Sequence, residues 1–317
     1  MQITLIETVE RLEQAQNLVI TAHVNPDGDA IGSSLALRHY LVSIGKTVRL
    51  LLDDDIPADF SFLPGYELFE KPQGNRIDAD LLIVLDTSID RVGMVKECVH
   101  APVLNIDHHI SNDAVADYLY LDAGKAATGE IIFALLQKMQ AKLTLETAIC
   151  MYTAIATDCG FFRYSNTTAF TMEAGAELLR FGVKPNEISE ALEKRPWLTI
   201  KGKAAALHTT EFFPDKKIAI AIVTKEVLDE CASTGGLIDE IRIIDGVDVA
   251  VVVKYVEDEI SRVSMRSKYT DVSAVALKFQ GGGHVRAAGC TIKAPLLEAK
   301  QSILHALKDH MEATCDA

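Results

Sequence analysis

Three short, unbroken apolar runs end abruptly on a histidine or an aspartate: residues 17–23 (NLVITAH), 78–86 (DADLLIVLD) and 101–107 (APVLNID). Continuous rather than alternating apolar character is what strands covered on both faces require. A further run at 47–52 (TVRLLL) and helical stretches at 30–45, 128–140 and 145–158 complete a strand–helix rhythm. That rhythm predicts an α/β fold whose N-terminal domain is a doubly wound parallel sheet. In such sheets ligands gather at the carboxyl ends of the strands, where His23, Asp86 and Asp107 fall.

The remaining chain reads as a second, smaller α/β domain. Residues from about 171 to 213 look helical, broken by GVKP and RPW, with no strand. Strands follow at 216–224, 248–256 and 260–267, the last two as an antiparallel pair. Another strand at 287–293 and a closing helix behind Pro295 finish the pattern. The expected organisation is a catalytic domain over 1–185, a helical linker over 186–212 and a substrate-binding domain over 213–317.

Polar residues recur where rigid elements end. Residues 23–29 (HVNPDGD) carry His23, Asp27 and Asp29, the run 82–88 carries Asp86, and Asp107-His108-His109 follows. Asp158 closes the helix at 145–158. If Asp27, Asp29, Asp86 and Asp158 converge, four like charges lie close together, which is costly without protons or cations. Two divalent ions balance such a cluster, and imidazoles supply neutral nitrogen ligands. The mixed oxygen and nitrogen set suits Mn2+, with Mg2+, Co2+ or Fe2+ as alternatives. Paired ions point to metal-assisted hydrolysis of a phosphoester. No G-x-S-x-G elbow or P-loop offers a rival chemistry. A bland alternative exists for single residues: Asp27 or Asp29 can cap the helix that follows.

The net charge of −14 disfavours long duplex nucleic acid, which wants a basic surface. It leaves small phosphorylated substrates open. No apolar run approaches the roughly 18 residues that span a bilayer, and the six cysteines are scattered, so a cytoplasmic protein is expected. In the second half, Gly281, Gly282, Gly283 and His284 form a loop before a strand, and Arg262 and Arg266 lie four apart on one face of another. Glycine backbone and arginine forks together suit phosphate.

These motifs resemble the DHH phosphoesterases, named for the sequence that stands here as Asp107-His108-His109. HVNPDGDAIGS resembles that family's first motif, VLDTS its second and TDCGFFRYSNTT its fourth. SRVSMRSK and GGGHVRAAGC resemble the DHH-associated C-terminal domain, so the likeness covers nearly the whole chain. Within the family the form is most similar to small bacterial nanoRNase/pAp phosphatases. The resemblance implies Mn2+-dependent hydrolysis of very short RNA oligonucleotides and of pAp, in a cleft between domains. It implies one ion held by His23, Asp27 and Asp86 and a second by Asp29, Asp86, His108 and Asp158. Asp107 would orient its neighbours and His109 would face the scissile phosphate. Arg262, Arg266, Gly281, Gly282, Gly283 and His284 would grip the substrate. A homodimer is compatible with this reading.

One stretch departs from the family. After the glycines and Leu237, Asp239 and Glu240 stand where relatives often carry neutral polar residues, which leaves the choice of substrate open. The alternative within catalysis is a phosphodiesterase for cyclic di-AMP or pApA. A nucleotide sensor without turnover is the alternative outside it, and the retention of every implied metal ligand speaks against that.

Overall fold

The computed structural model describes residues 1–231 and 234–315; Ser233, in the stretch that departs from the family, lies outside the described residues. The chain divides into two compact units, Met1–Lys194 and Arg195–Ala317.

The first unit contains α1 (Leu5–Gln14), β1 (Asn17–Thr21), α2 (Gly28–Ser43), β2 (Thr47–Leu51), β3 (Phe69–Glu70), β4 (Ile77–Asp78), β5 (Leu81–Leu85), α3 (Val95–Cys98), β6 (Val99–His100), β7 (Val103–Asp107), β8 (Tyr118–Leu121), α4 (Thr128–Lys138), α5 (Leu145–Asp158), α6 (Ala169–Arg180) and α7 (Pro185–Glu193). Six strands form one parallel sheet in the order β3-β2-β1-β5-β7-β8. The order reverses between β1 and β5, which is where an open α/β sheet leaves a crevice. This is the doubly wound sheet expected from the apolar runs.

Leu18, Ile20, Ile83, Leu85, Leu104 and Ile106 face the larger core with α2, α4 and α5, while Val19, Leu82 and Val84 face a smaller one around Val92 and Val95. Helix α2 is buried along most of its length. Its contact with α5 is close because it lacks side chains there: a Cβ on Gly32 would lie 2.5 Å from the Cys150 carbonyl oxygen. That proximity brings the start of α2 beside the end of α5.

The second unit contains α8 (Trp197–His208), β9 (Glu211–Phe213), β10 (Ile218–Val223), α9 (Lys225–Glu230), α10 (Leu237–Arg242), β11 (Val249–Glu257), β12 (Ile260–Ser267), α11 (Val272–Leu277), β13 (Gly282–His284), β14 (Ala287–Ile292) and α12 (Leu296–Cys315). Its mixed sheet runs β13-β14-β12-β11-β10-β9, with only β10 and β11 parallel.

Two expectations need correction. The stretch read as strandless to residue 213 ends in β9, because Glu211–Phe213 adds an edge to β10 through a short turn at Pro214–Lys216. Of the residues read as a loop, Gly282, Gly283 and His284 form β13, which pairs antiparallel with β14, and only Gly281 lies outside it. A strand so short and so rich in glycine carries no periodic signal.

Candidate metal centre and phosphate groove

Five elements of the first unit, β1, α2, β5, β7 and α5, deliver polar residues to the same place. His23 lies just past β1, Asp86 directly past β5, and Asp107 is the last residue of β7. Asp27 caps α2, its Oδ1 accepting the N–H groups of Asp29 and Ala30 at 3.1 Å each. Capping and a place near His23 therefore coexist in one residue. Asp86 takes a positive φ of 63°, a strained conformation for a residue other than glycine. The turn aims its carboxylate at three histidines.

His23 Nε2 stands 3.8 Å from Asp27 Oδ1 and 3.6 Å from Asp86 Oδ2. His108 Nε2 stands 3.4 Å from Asp86 Oδ1, 3.5 Å from Asp158 Oδ2 and 4.0 Å from Asp29 Oδ2. Both rings are fixed from behind, with His23 Nδ1 2.9 Å from the Val24 carbonyl and His108 Nδ1 3.2 Å from that of Lys125. Such carbonyl contacts make Nδ1 the protonated nitrogen in a neutral ring and leave Nε2 with its lone pair forward. His108 Nε2 is buried without a hydrogen-bond partner. An orphaned nitrogen facing three carboxylates is the donor set a divalent cation takes. His23–Asp27–Asp86 and Asp29–His108–Asp158 each bring ligand atoms within 4.8 Å of one another, as does Asp86–His108–His109.

Asp29, Thr128 and Gly129 show how a buried acid is tolerated. Asp29 accepts the N–H groups of Thr128 at 2.6 Å and Gly129 at 2.8 Å, at the amino end of α4, and the Ser33 hydroxyl at 2.9 Å. The Thr128 hydroxyl also donates to Asp86 at 3.0 Å. Asp107 is wholly buried and accepts from the backbone of His108 and His109 at 2.8 and 3.1 Å. It holds His109 Nδ1 at 2.8 Å, while Asn112 donates to its other oxygen at 2.6 Å. Asn105 accepts from Asn112 at 2.8 Å and donates to the Val84 and Thr87 carbonyls.

The protonation pattern follows from this crowding. Burial, then the charges of Asp86, Asp158 and Asp27, push Asp29 well above the usual carboxylate range. Burial also raises Asp158, to about 6. For Asp86 burial acts upward, yet the imidazoles of His108 and His23 hold it well below its ordinary value. Burial opposes the charging of His23 and His108, but Asp27 and Asp86 lift the first to about 10 and Asp86 and Asp158 the second to about 9. His109 is raised chiefly by its hydrogen bond to Asp107. Without cations, the cluster holds protons in their place.

Sequence reading missed Thr128, Ser33, Asn105 and Asn112. Asn105 left one trace: it is a polar residue inside an apolar run. Cys159, beside Asp158, is a buried thiol whose pKa is raised by burial, so it is no nucleophile.

In the second unit, β12 alternates, and Arg262, Ser264 and Arg266 share the face opposite Val263 and Met265. Arg262 pairs with Thr291, Ser264 with Gly289 and Arg266 with Ala287. An open groove of about 590 Å³ joins Arg262, Arg266, Gly281 and Gly282 with Gln280, Thr291 and Lys293. Gly283 and His284 do not line it. A Cβ on Gly282 would meet nothing within 4 Å, whereas one on Gly281 would lie 2.2 Å from the Gly289 carbonyl oxygen. Asp239 and Glu240 turn to cations, to Arg242 at 3.9 Å and Lys203 at 3.6 Å.

An acid–histidine cluster at the ends of β1, β5 and β7, followed by a second α/β unit, places the chain in a known class: it belongs to the DHH family. The DHH family N-terminal domain matches residues 17–155 and the DHHA1 domain residues 215–313. It is 34% identical to the bifunctional oligoribonuclease and PAP phosphatase of Thermus thermophilus, over 93% of this chain and 90% of that one. It is 26% identical to the protein of that name from Bacillus subtilis, over 90% and 92%. The crystal structure of an exopolyphosphatase-related protein from Bacteroides fragilis has the same fold, with a TM-score of 0.85 and 24% identity over 96% of this chain and 95% of that one. Among the described residues no helix is long and apolar enough to cross a membrane.

Proposed function

We propose that the chain is a metal-dependent phosphoesterase that hydrolyses very short RNA to mononucleotides and removes the 3′-phosphate from pAp. The observation that carries this reading is the buried, unpartnered Nε2 of His108 facing Asp29, Asp86 and Asp158. The names of the two relatives support the substrates.

In this reading His23, Asp27 and Asp86 would hold one divalent ion, and Asp29, Asp86, His108 and Asp158 would hold another, with Asp86 common to both sets. Mn2+ is the proposed metal, on the mixed imidazole and carboxylate donors. When bound, two such ions would supply positive charge to the phosphoryl oxygens and would lower the pKa of the attacking water. Asp107 fixes the ring of His109, leaving Nε2 to face the phosphate and hand a proton to the leaving oxygen. Arg262, Arg266 and the glycines at the groove bind the substrate's phosphates; His284 is assigned the same role from its motif. The domain boundaries proposed from sequence, 1–185, 186–212 and 213–317, describe this division of labour.

The test is a product-resolved assay with Mn2+, offering 5′-phosphorylated RNA dimer and trimer, a longer RNA, pAp and cyclic di-AMP. Mononucleotides released fastest from the short RNAs, with AMP from pAp, are the expected result. Preference for cyclic di-AMP would overturn the substrate assignment, and no turnover of any of them would overturn the enzyme.

A further inference from the structure

Behind the ligand-bearing loops lies a pair of acids that the chemistry above does not use. Three consecutive aspartates, Asp53, Asp54 and Asp55, follow β2. Asp54 Oδ2 accepts the backbone N–H of Asn25 at 2.7 Å. Asn25 stands midway between His23 and Asp27, with a φ of 55° and immediately before Pro26. Asparagine tolerates that left-handed turn, the proline ring restricts it from the other side, and the Asp54 carboxylate holds it from outside the loop. Asp53 Oδ2 accepts the N–H of Met94 at 3.0 Å, in the segment that follows Asp86. It gets that close because residue 93 is glycine: a Cβ there would lie 2.1 Å from the same oxygen. The two segments are also tied to each other, Val24 N–H donating to the Arg91 carbonyl at 2.9 Å. Asp55 differs from its neighbours, its exposed side chain pairing with Lys71 at 2.6 Å.

We propose that Asp54 is a positioning residue for the first metal position. Through the Asn25 N–H it holds the 23–27 loop in the shape that brings His23 and Asp27 to Asp86. Asp53 fixes the neighbouring segment by the same kind of bond. The inference rests on the metal-site reading above and adds a residue from the bend after β2, a strand that carries no ligand. Its physical basis is loop order. A ligand set that must be assembled from a mobile loop binds its ion more weakly than one already held in place.

The experiment compares Asp54→Ala, Asp54→Asn and Asp55→Ala with the parent protein. Mn2+ affinity is read by electron paramagnetic resonance of the free ion, and amide exchange at Asn25 is read in the chelated protein. Asp54→Ala is expected to weaken Mn2+ binding by about ten- to a hundredfold and to speed exchange at Asn25. Asp54→Asn keeps an oxygen for the N–H and is expected to retain most of the affinity. Asp55→Ala is expected to behave as the parent. Parent-like Mn2+ affinity in Asp54→Ala would overturn the proposal, as would equal weakening in Asp55→Ala, which would reveal a simple charge effect. Parent protein that binds no Mn2+ would instead overturn the metal reading. In that case unchanged exchange at Asn25 in Asp54→Ala would sink the proposed hold as well.

Discussion

The carboxylate of Asp29 accepts the backbone N–H of Thr128 at 2.6 Å across 99 residues of chain. One bond thus joins the start of α2 to the start of α4, and the Thr128 hydroxyl extends the link to Asp86. The helix end stabilises a buried acid that its acidic neighbours repel.

Metal removal should destabilise the protein, because the acids then lose their counter-charge. With free metal at a hundred times Kd, binding adds about 2.7 kcal/mol per site. Melting curves with and without chelator test this, and superimposable curves would refute the metal centre.

The effect should grow with pH. In the metal-free protein His23 and His108 are raised from 6.5 to about 10 and about 9, so their contribution is complete below pH 6.5 and lost as pH climbs through 9 and 10. Asp158, raised from 3.8 to about 6, acts in the same direction between those values, since the folded state holds the extra proton. Metal ligands must shed these protons, so affinity rises with pH. The gap between metal-loaded and chelated melting temperatures should widen from pH 6.5 to 9, and a constant gap would contradict the assignment.

Asp158→Asn separates stability from function. Its carboxyl adds to the repulsion on Asp29, so neutralising it should leave the chelated protein at least as stable as the parent. Stabilisation by Mn2+ and turnover should both fall. A lower melting temperature in chelator would show that Asp158 serves folding.

Asp86→Ala should abolish turnover, since both proposed ligand sets use this residue, whereas Arg262→Ala should chiefly raise KM. Steady-state kinetics on an RNA dimer distinguish them. Equal losses of kcat would undo the proposed division between the cluster and the groove.

Gly32→Ala should destabilise by about 1–3 kcal/mol, as overpacking does. The added methyl would meet the Cys150 carbonyl, which is backbone and cannot rotate away. Denaturant unfolding measures it, and a neutral result would mean that α2 and α5 do not need their close approach.

The sequence determined the strands that carry the site. Residues 17–21, 81–85 and 103–107 are apolar enough to be buried on both faces, and a polar residue closing such a run must stand at its end. The DHH motif, Asp27 and Asp158 were legible for the same reason. What the linear pattern could not carry was the closing of the cluster. Thr128 reads as an ordinary helix start until the fold lays it against Asp29, and Asn112 until it meets Asp107. Asp54 lies in an acidic run whose only linear signal is charge. The glycine strand β13 has no periodicity to read, and its pairing with β14 exists only in the sheet. Periodicity reports which face of an element is buried, a local property of successive residues. Hydrogen bonds between distant segments depend on how the buried faces pack, and only the tertiary structure decides that.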